Sequence, residues 1–264
     1  MTPQQKYWAH VPFLLPVFPI FYRQAVKIKN AMPDLPDAQG DNFGTIDGQH
    51  PVLRIVGLGE SSIAGVGCAH HKEAITGQVA HFLAQKTGRA VHFEAIGRTG
   101  ITVAEAVHEL VPKLPSQPID LLMVALGGND TFQLNRPSRW RESMFTLLKA
   151  IREKQPHAAI LIVNLPTVWQ FTNLTPLVRF VMGRLVRLHA GAIHDMPDNF
   201  EHLYYMNYPI DLYKWEQHLN ADQQFSDFFA DGVHPAPITC SLWGEEIAEF
   251  IIQQMAVYLN RIAH

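Results

Sequence analysis

The chain is poor in cysteine: Cys68 and Cys240 are the only two in 264 residues, too few for a disulfide framework. Neither stands in a Cys-x-x-Cys pair of the metal-binding kind, so both read as structural thiols. There is no run of Lys or Arg, and the formal net charge is -3. Without a basic footprint the backbone of DNA or RNA has nothing to attract it, which excludes nucleic acid as a partner. No stretch reaches the roughly 18 to 20 apolar residues that span a bilayer. The nearest approach, VPFLLPVFPIFY from Val11 to Tyr22, is expected to be interrupted as a helix by its three prolines, and no small-residue cleavage site follows it. A cytoplasmic protein is the expectation. Internal repeats and low-complexity tracts are also missing.

What is present is a lightly charged globular composition, 47% hydrophobic and 17% charged. A chain of this length can bury one sizeable core. Residues 1–50 read as an N-terminal arm: the proline-broken stretch, a short helix from Pro19 to Met32, then PDLPDAQGDNFGTIDGQHP, whose Pro, Gly and Asp oppose regular structure. Residues 51–264 read as the main domain. There, short apolar runs alternate with longer amphipathic segments, the pattern of an α/β fold with a parallel sheet and crossover helices. Five strands are expected: Leu53 to Leu58, Val91 to Ile96, Leu121 to Leu126, Ala159 to Leu165 and His202 to Met206. Helices are expected near residues 75–86, 103–114, 139–153, 176–192 and 237–260.

Ligands of an open α/β sheet bind outside the carboxyl ends of the strands, so the loops there deserve the closest scrutiny. The first strand runs into GLGESSIAGVG, Gly57 to Gly67. A dinucleotide fingerprint, G-x-G-x-x-G/A, is met at Gly57 and Gly59 but fails at Ser62, although Glu94 could imitate the ribose-binding acid. A P-loop is excluded, because no lysine occurs between Arg54 and Lys72. The G-x-S-x-G elbow of α/β-hydrolases is absent as well, since Ile63 stands where its second glycine belongs.

Four short blocks remain. Gly59-Glu60-Ser61, with Gly65 following, resembles the first block of the SGNH/GDSL hydrolases, in which the usual sequence is Gly-Asp-Ser. Gly97-Arg98-Thr99-Gly100 resembles the second block, Gly127-Gly128-Asn129-Asp130 the third, and Asp231-Gly232-Val233-His234-Pro235 the fifth. Each is short, but they occur in the family's order and three follow expected strands. The resemblance covers residues from about Leu53 to the C-terminal helix. It implies a three-layer α/β/α sandwich with a five-stranded parallel sheet in flavodoxin-like order. It further implies a serine esterase with Ser61 as nucleophile, His234 as base and Asp231 as the triad acid. Its oxyanion hole would comprise the Ser61 N–H, the Gly100 N–H, with Gly97 as second choice, and the Asn129 amide. The departure is Glu60, which keeps the carboxylate but adds a methylene.

The chemistry needs these residue types. A serine hydroxyl attacks an ester well only when a base removes its proton, and a carboxylate on the far ring nitrogen fixes the imidazole tautomer. Donors aimed at the developing oxyanion typically contribute about 10² to 10³ in rate apiece. Such a reaction requires neither metal nor cofactor.

Plainer roles compete for the same residues. Ser61 could simply cap a helix, Asn129 and Asp130 could be turn residues, and His70, His71, His189 and His194 read as solvated histidines rather than metal ligands. In the arm, Trp8, Phe13, Leu14, Leu15, Phe18, Phe21 and Tyr22 beside Arg23, Lys27 and Lys29 form one of two things. The favoured one is an arm packed on the domain or on a partner subunit. The other is a peripheral membrane contact, which would favour lipid-like esters such as lysophospholipids as substrates. The competing functions are a nucleotide-binding oxidoreductase built on Gly57, Gly59 and Glu94, and a non-catalytic lipid- or glycan-binding relative of the fold.

Overall fold

The computed structural model describes residues 1–261. Six strands form one sheet: β1 (Phe43–Ile46), β2 (Gln49–Gly59), β3 (Arg89–Gly97), β4 (Leu121–Ala125), β5 (Ala159–Ile162) and β6 (Leu203–Tyr205), in the order β1-β3-β2-β4-β5-β6. Strands β2 to β6 are the five expected from the sequence, and all pair in parallel. Their order, β3-β2-β4-β5-β6, is the flavodoxin-like one. The central strands β4 and β5 read LLMVA and AILI and are buried at every position, as sheet covered on both faces requires.

The sixth strand corrects the expectation of a five-stranded sheet and of an irregular linker. Strand β1 lies antiparallel on the edge of β3, with Phe43 opposite Glu94 and Ile46 opposite Val91. Only four residues long and half-exposed in alternation, it carries no buried apolar run that would announce it among its Gly and Asp neighbours. The Asn42 side chain extends the attachment by donating to the Ala95 carbonyl.

Right-handed crossovers place the helices on both faces. Helices Ile75–Thr87 and Pro237–Gln254 pack together on one side, and Val103–Glu109, Pro137–Lys154 and Pro176–Ala192 cover the other. Helix Pro137–Lys154 turns Trp140, Met144, Leu147, Leu148 and Ile151 inward, a stripe of helical period. Helix Val103–Glu109 begins at a capping box in which Thr102 and Glu105 satisfy each other's backbone amides. Cys68 and Cys240 are buried free thiols with sulfurs 3.4 Å apart, holding the loop after Gly67 against the last long helix.

The N-terminus is more helical than its prolines suggest. Helix Pro3–Leu14 is followed by a 3₁₀ turn, Leu15–Val17, and then by helix Phe18–Ala31. Pro16 and Pro19 occupy the opening positions of the second and third of these elements, where a backbone N–H would have no partner anyway, so only Pro12 is interior. The two helices lie outside helices Pro137–Lys154 and Pro176–Ala192. Gln4 accepts from the Ser138 amide, and Thr175 donates to Gln24 across the same seam.

Candidate active site

Strand β2 lies where the strand order reverses, flanked by β3 and β4, and its carboxyl end is therefore the expected crevice. The chain leaves β2 at Gly59, passes Glu60 in an extended conformation and enters the short helix Ser61–Ala64. Ser61 is thus the first helical residue and not the cap, and its amide is among those that a helix start leaves without an internal partner. The helix-cap role considered for its hydroxyl is not the one it plays.

Asp231 and His234 sit in a tight loop in which Ala230 donates its amide to the His234 carbonyl at 2.8 Å. The Asp231 side chain is fully buried. One carboxylate oxygen accepts the Val233 and His234 amides, at 2.9 and 2.7 Å, and the other faces His234 Nδ1 at 2.7 Å. Burial pushes this carboxyl up, but the His234 ring and the two amides outweigh it, and the net effect holds Asp231 below the usual carboxylate range. An ionised Asp231 fixes the proton of His234 on Nδ1 and leaves Nε2 as the basic nitrogen. Ser61, Asn129 and His234 line one cavity of about 100 Å³, whose apolar wall includes Leu126, Val163, Phe171 and Trp243.

Glu60 carries a second polar cluster of the site. Its buried carboxylate crosses from the end of β2 to the start of helix Gly128–Phe132. There it accepts the Gly128 amide at 2.9 Å, the Asn129 amide at 2.9 Å and the Asn129 side-chain amide at 2.6 Å. Desolvation dominates and, reinforced by the nearby Asp130, raises the Glu60 carboxyl to about 7 against the opposing pull of these hydrogen bonds. The second proton of the Asn129 amide goes to the Ile101 carbonyl at 3.1 Å. The Ile101 carbonyl can only accept, so the amide orientation is dictated by its neighbours, and an oxyanion would have to draw that nitrogen away from one of them. Asp130 is structural: it accepts from the Val103 amide at the start of helix Val103–Glu109 and from Asn135 in the turn that follows its own helix.

Gly100 follows β3 at φ +79°, a conformation that excludes most other residues, and lies exposed outside the lining of the cavity. Gly97 is glycine for a different reason. A Cβ there would come within 2.3 Å of the Ala64 backbone, so it allows β3 to approach the nucleophile helix.

One lining residue escaped the sequence reading. Asn164, just past β5, is buried, accepts a hydrogen bond from the Trp243 indole at 2.8 Å, and keeps its side-chain NH₂ without a partner. A polar residue at the end of an apolar strand was the available signal. Other positions are corrected. His189 and His71 are buried rather than solvated, and His189, sandwiched on Trp140 and bonded to the Asn135 carbonyl, is held neutral by desolvation with its pKa near 4. Among the described residues no group of three or more His, Cys, Asp or Glu is placed to hold a metal. Gly57 and Gly59 lie inside β2 rather than in the turn after it, where a dinucleotide fingerprint would need them.

The comparisons with known proteins fit this geometry. No curated protein matches the chain by sequence. Among solved structures, the chain resembles TesA, with TM-score 0.53 and 18% identity over 77% of this chain and 98% of that one. It also resembles the psychrotrophic esterase EstA from Pseudoalteromonas sp., with TM-score 0.54 and 14% identity over 77% and 98%. A third is the Clostridium thermocellum family 3 carbohydrate esterase, with TM-score 0.57 and 14% identity over 81% and 100%. At such identities these likenesses establish the fold. The profile of the GDSL-like lipase/acylhydrolase family matches residues 58–238, a span that takes in all four sequence blocks and the cavity between them. The chain belongs to the GDSL-like lipase/acylhydrolase family and is an ester-hydrolysing enzyme.

Proposed function

We propose that the enzyme cleaves short-chain acyl esters of lipid-like alcohols through a Ser61 acyl-enzyme. The observation that carries this is the meeting of Ser61, Asn129 and His234 in one cavity, with buried Asp231 bonded to the far side of the imidazole. Ser61 Oγ attacks the ester carbonyl carbon and its proton passes to His234 Nε2. The tetrahedral oxyanion is met by the Ser61 amide and by the Asn129 side chain once one of its protons leaves Glu60 or Ile101. His234 then gives the proton to the departing alkoxide, releasing the alcohol and leaving Ser61 acylated. Water repeats the sequence with His234 as base and releases the acid.

Cavity size supports the short acyl group. About 100 Å³ beside Ser61, with an apolar extension of about 50 Å³ along Phe171, Val233 and Trp243, holds only a few methylene-sized groups. The lipid-like alcohol rests on the N-terminal arm as a peripheral membrane contact. Trp8, Phe13, Leu15, Phe18, Ile20 and Tyr22 are all exposed there, residues 1–32 contain no Asp or Glu, and no described helix is long and apolar enough to cross a bilayer.

The test is labelling with a fluorophosphonate. Wild type is expected to be labelled on the peptide containing Ser61 and to turn over nitrophenyl acetate faster than longer esters, and Ser61→Ala to do neither. A labelled peptide elsewhere, or an unlabelled wild type, would sink the assignment.

A further inference from the structure

A second apolar cavity lies away from Ser61. About 230 Å³ lies between the N-terminal helices and helix Pro176–Ala192, walled by Val11, Leu14, Phe18 and Phe21 of the arm and by Val181 and Leu185 of the helix. For comparison, an apolar cavity of roughly 150 Å³ is enough to take up benzene. Leu15 and Phe18, which also line it, are 62% and 44% exposed, so it reaches the surface at the 3₁₀ joint between the two helices.

The charge on this wall is one-sided. Arg184 lines the cavity, and the hydrogen bond of its guanidinium is to the His10 ring, which carries no negative charge. Among the described residues no carboxylate pairs with Arg184, and its Nε–H and His10 Nδ1 are both buried without a partner. No acid occurs in residues 1–32 or in helix Pro176–Ala192, so none of the three helices around the cavity can supply one. Desolvation first, and then the Arg184 charge, push the His10 pKa down, which keeps the ring neutral and leaves the guanidinium uncompensated. A cation at the edge of an apolar cavity is costly unless an anion meets it. With Nε shielded and Nη2 bonded to His10, Nη1 is the guanidinium nitrogen left to meet a carboxylate oxygen.

We propose that this cavity binds a single-chain carboxylate, with the carboxylate on Arg184 and the alkyl chain among Val11, Leu14, Phe21 and Leu185. The volume corresponds to roughly seven or eight water-sized units, hence to a chain of about that many carbons. The site lies outside the family-matched residues on its arm side and does not depend on the hydrolytic mechanism.

Calorimetric titration of the full chain with octanoate tests it. Saturable one-to-one binding is expected for octanoate and not for octylamine, which has the same chain and the wrong charge. Arg184→Gln is expected to weaken octanoate about tenfold or more, the loss typical of a charged hydrogen-bonded partner. Leu14→Trp, which fills the cavity, is expected to abolish binding. Both variants should turn over nitrophenyl acetate at the wild-type rate, which separates this site from the catalytic one. The idea is overturned if wild type fails to bind octanoate, if octylamine binds equally, or if octanoate inhibits hydrolysis competitively with an affinity that neither variant changes.

Discussion

At the carboxyl ends of β2 and β4 the polar groups are tethered to one another. Glu60 holds Gly128 and Asn129, Asn129 holds Ile101, and Asp231 holds Val233 and His234. Between the N-terminal helices and helix Pro176–Ala192 the wall is apolar, and Arg184 has a neutral ring as its partner. The first region buries three carboxyl groups, Glu60, Asp130 and Asp231, and supplies each with donors. The second brings a cation to an apolar cavity and supplies no acid. A transition state with charge at a fixed point needs donors held in advance, whereas a flexible amphiphile needs only volume and one charge. The contrast also orders what mutation should do to each region.

The sharpest way to break the comparison is Ser61→Ala. Ester turnover should fall by roughly 10⁴- to 10⁶-fold while the melting temperature stays within about two degrees of wild type, measured by nitrophenyl acetate hydrolysis and calorimetry. Retained turnover would remove Ser61 from the chemistry. Next in size is the clamp. Asn129→Ala should lower kcat by about 10²- to 10³-fold, and Glu60→Ala, which frees the same amide, by roughly 10- to 100-fold with little change in KM. If Glu60→Ala left kcat intact, the tether would be structural only.

The third prediction concerns pH. Glu60 is raised from 4.5 to about 7 in the folded chain, so its stabilising contribution is fully present below about pH 4.5 and is lost as pH rises through 7. Asp231, held low, works in the opposite sense: its contribution is present above the ordinary carboxylate range and is lost as pH falls. Wild type should therefore lose stability relative to Glu60→Gln between pH 5 and 8, by at most about 3 kcal/mol. A pH-independent difference in melting temperature between the two proteins would count against the raised carboxyl.

The smallest effect on catalysis belongs to the arm. Replacing Arg23, Lys27 and Lys29 together by Gln should weaken co-sedimentation with phosphatidylglycerol-containing vesicles, each cation contributing about 1 kcal/mol. Hydrolysis of a soluble ester should remain within about twofold of wild type. Equal binding to neutral and anionic vesicles, in wild type as in the variant, would refute an electrostatic contact.

The parts of the fold legible in sequence were those with a strong local signal. Strands such as LLMVA and AILI are continuous apolar runs, Ser61 and Asn129 stand in short blocks at strand ends, and Asp231 and His234 in one just before the last long helix. Strand β1 was not legible, because a four-residue edge strand takes its stability from pairing with β3 rather than from its own pattern. Of the N-terminal helices the second was legible, expected from Pro19 to Met32 and found at Phe18–Ala31, but the first, Pro3–Leu14, was not, since its interior Pro12 reads as a breaker. His189 looked like any other histidine in the chain, and only the Trp140 ring over it and the Asn135 carbonyl beside it make it a buried neutral group. Asn164 was marked only by being a polar residue at the end of an apolar run.

By itself the sequence determined the alternation of strand and helix, the family blocks that supply candidates for nucleophile and base, and the absence of a membrane-spanning run. These are properties of neighbouring residues and of composition. The tertiary structure alone decided that Glu60, one methylene longer than the family's aspartate, grips Asn129 across two strands. It also decided that the arm closes a cavity around Arg184. Both depend on groups far apart in the chain arriving at hydrogen-bond or van der Waals distance, and only packing sets those distances.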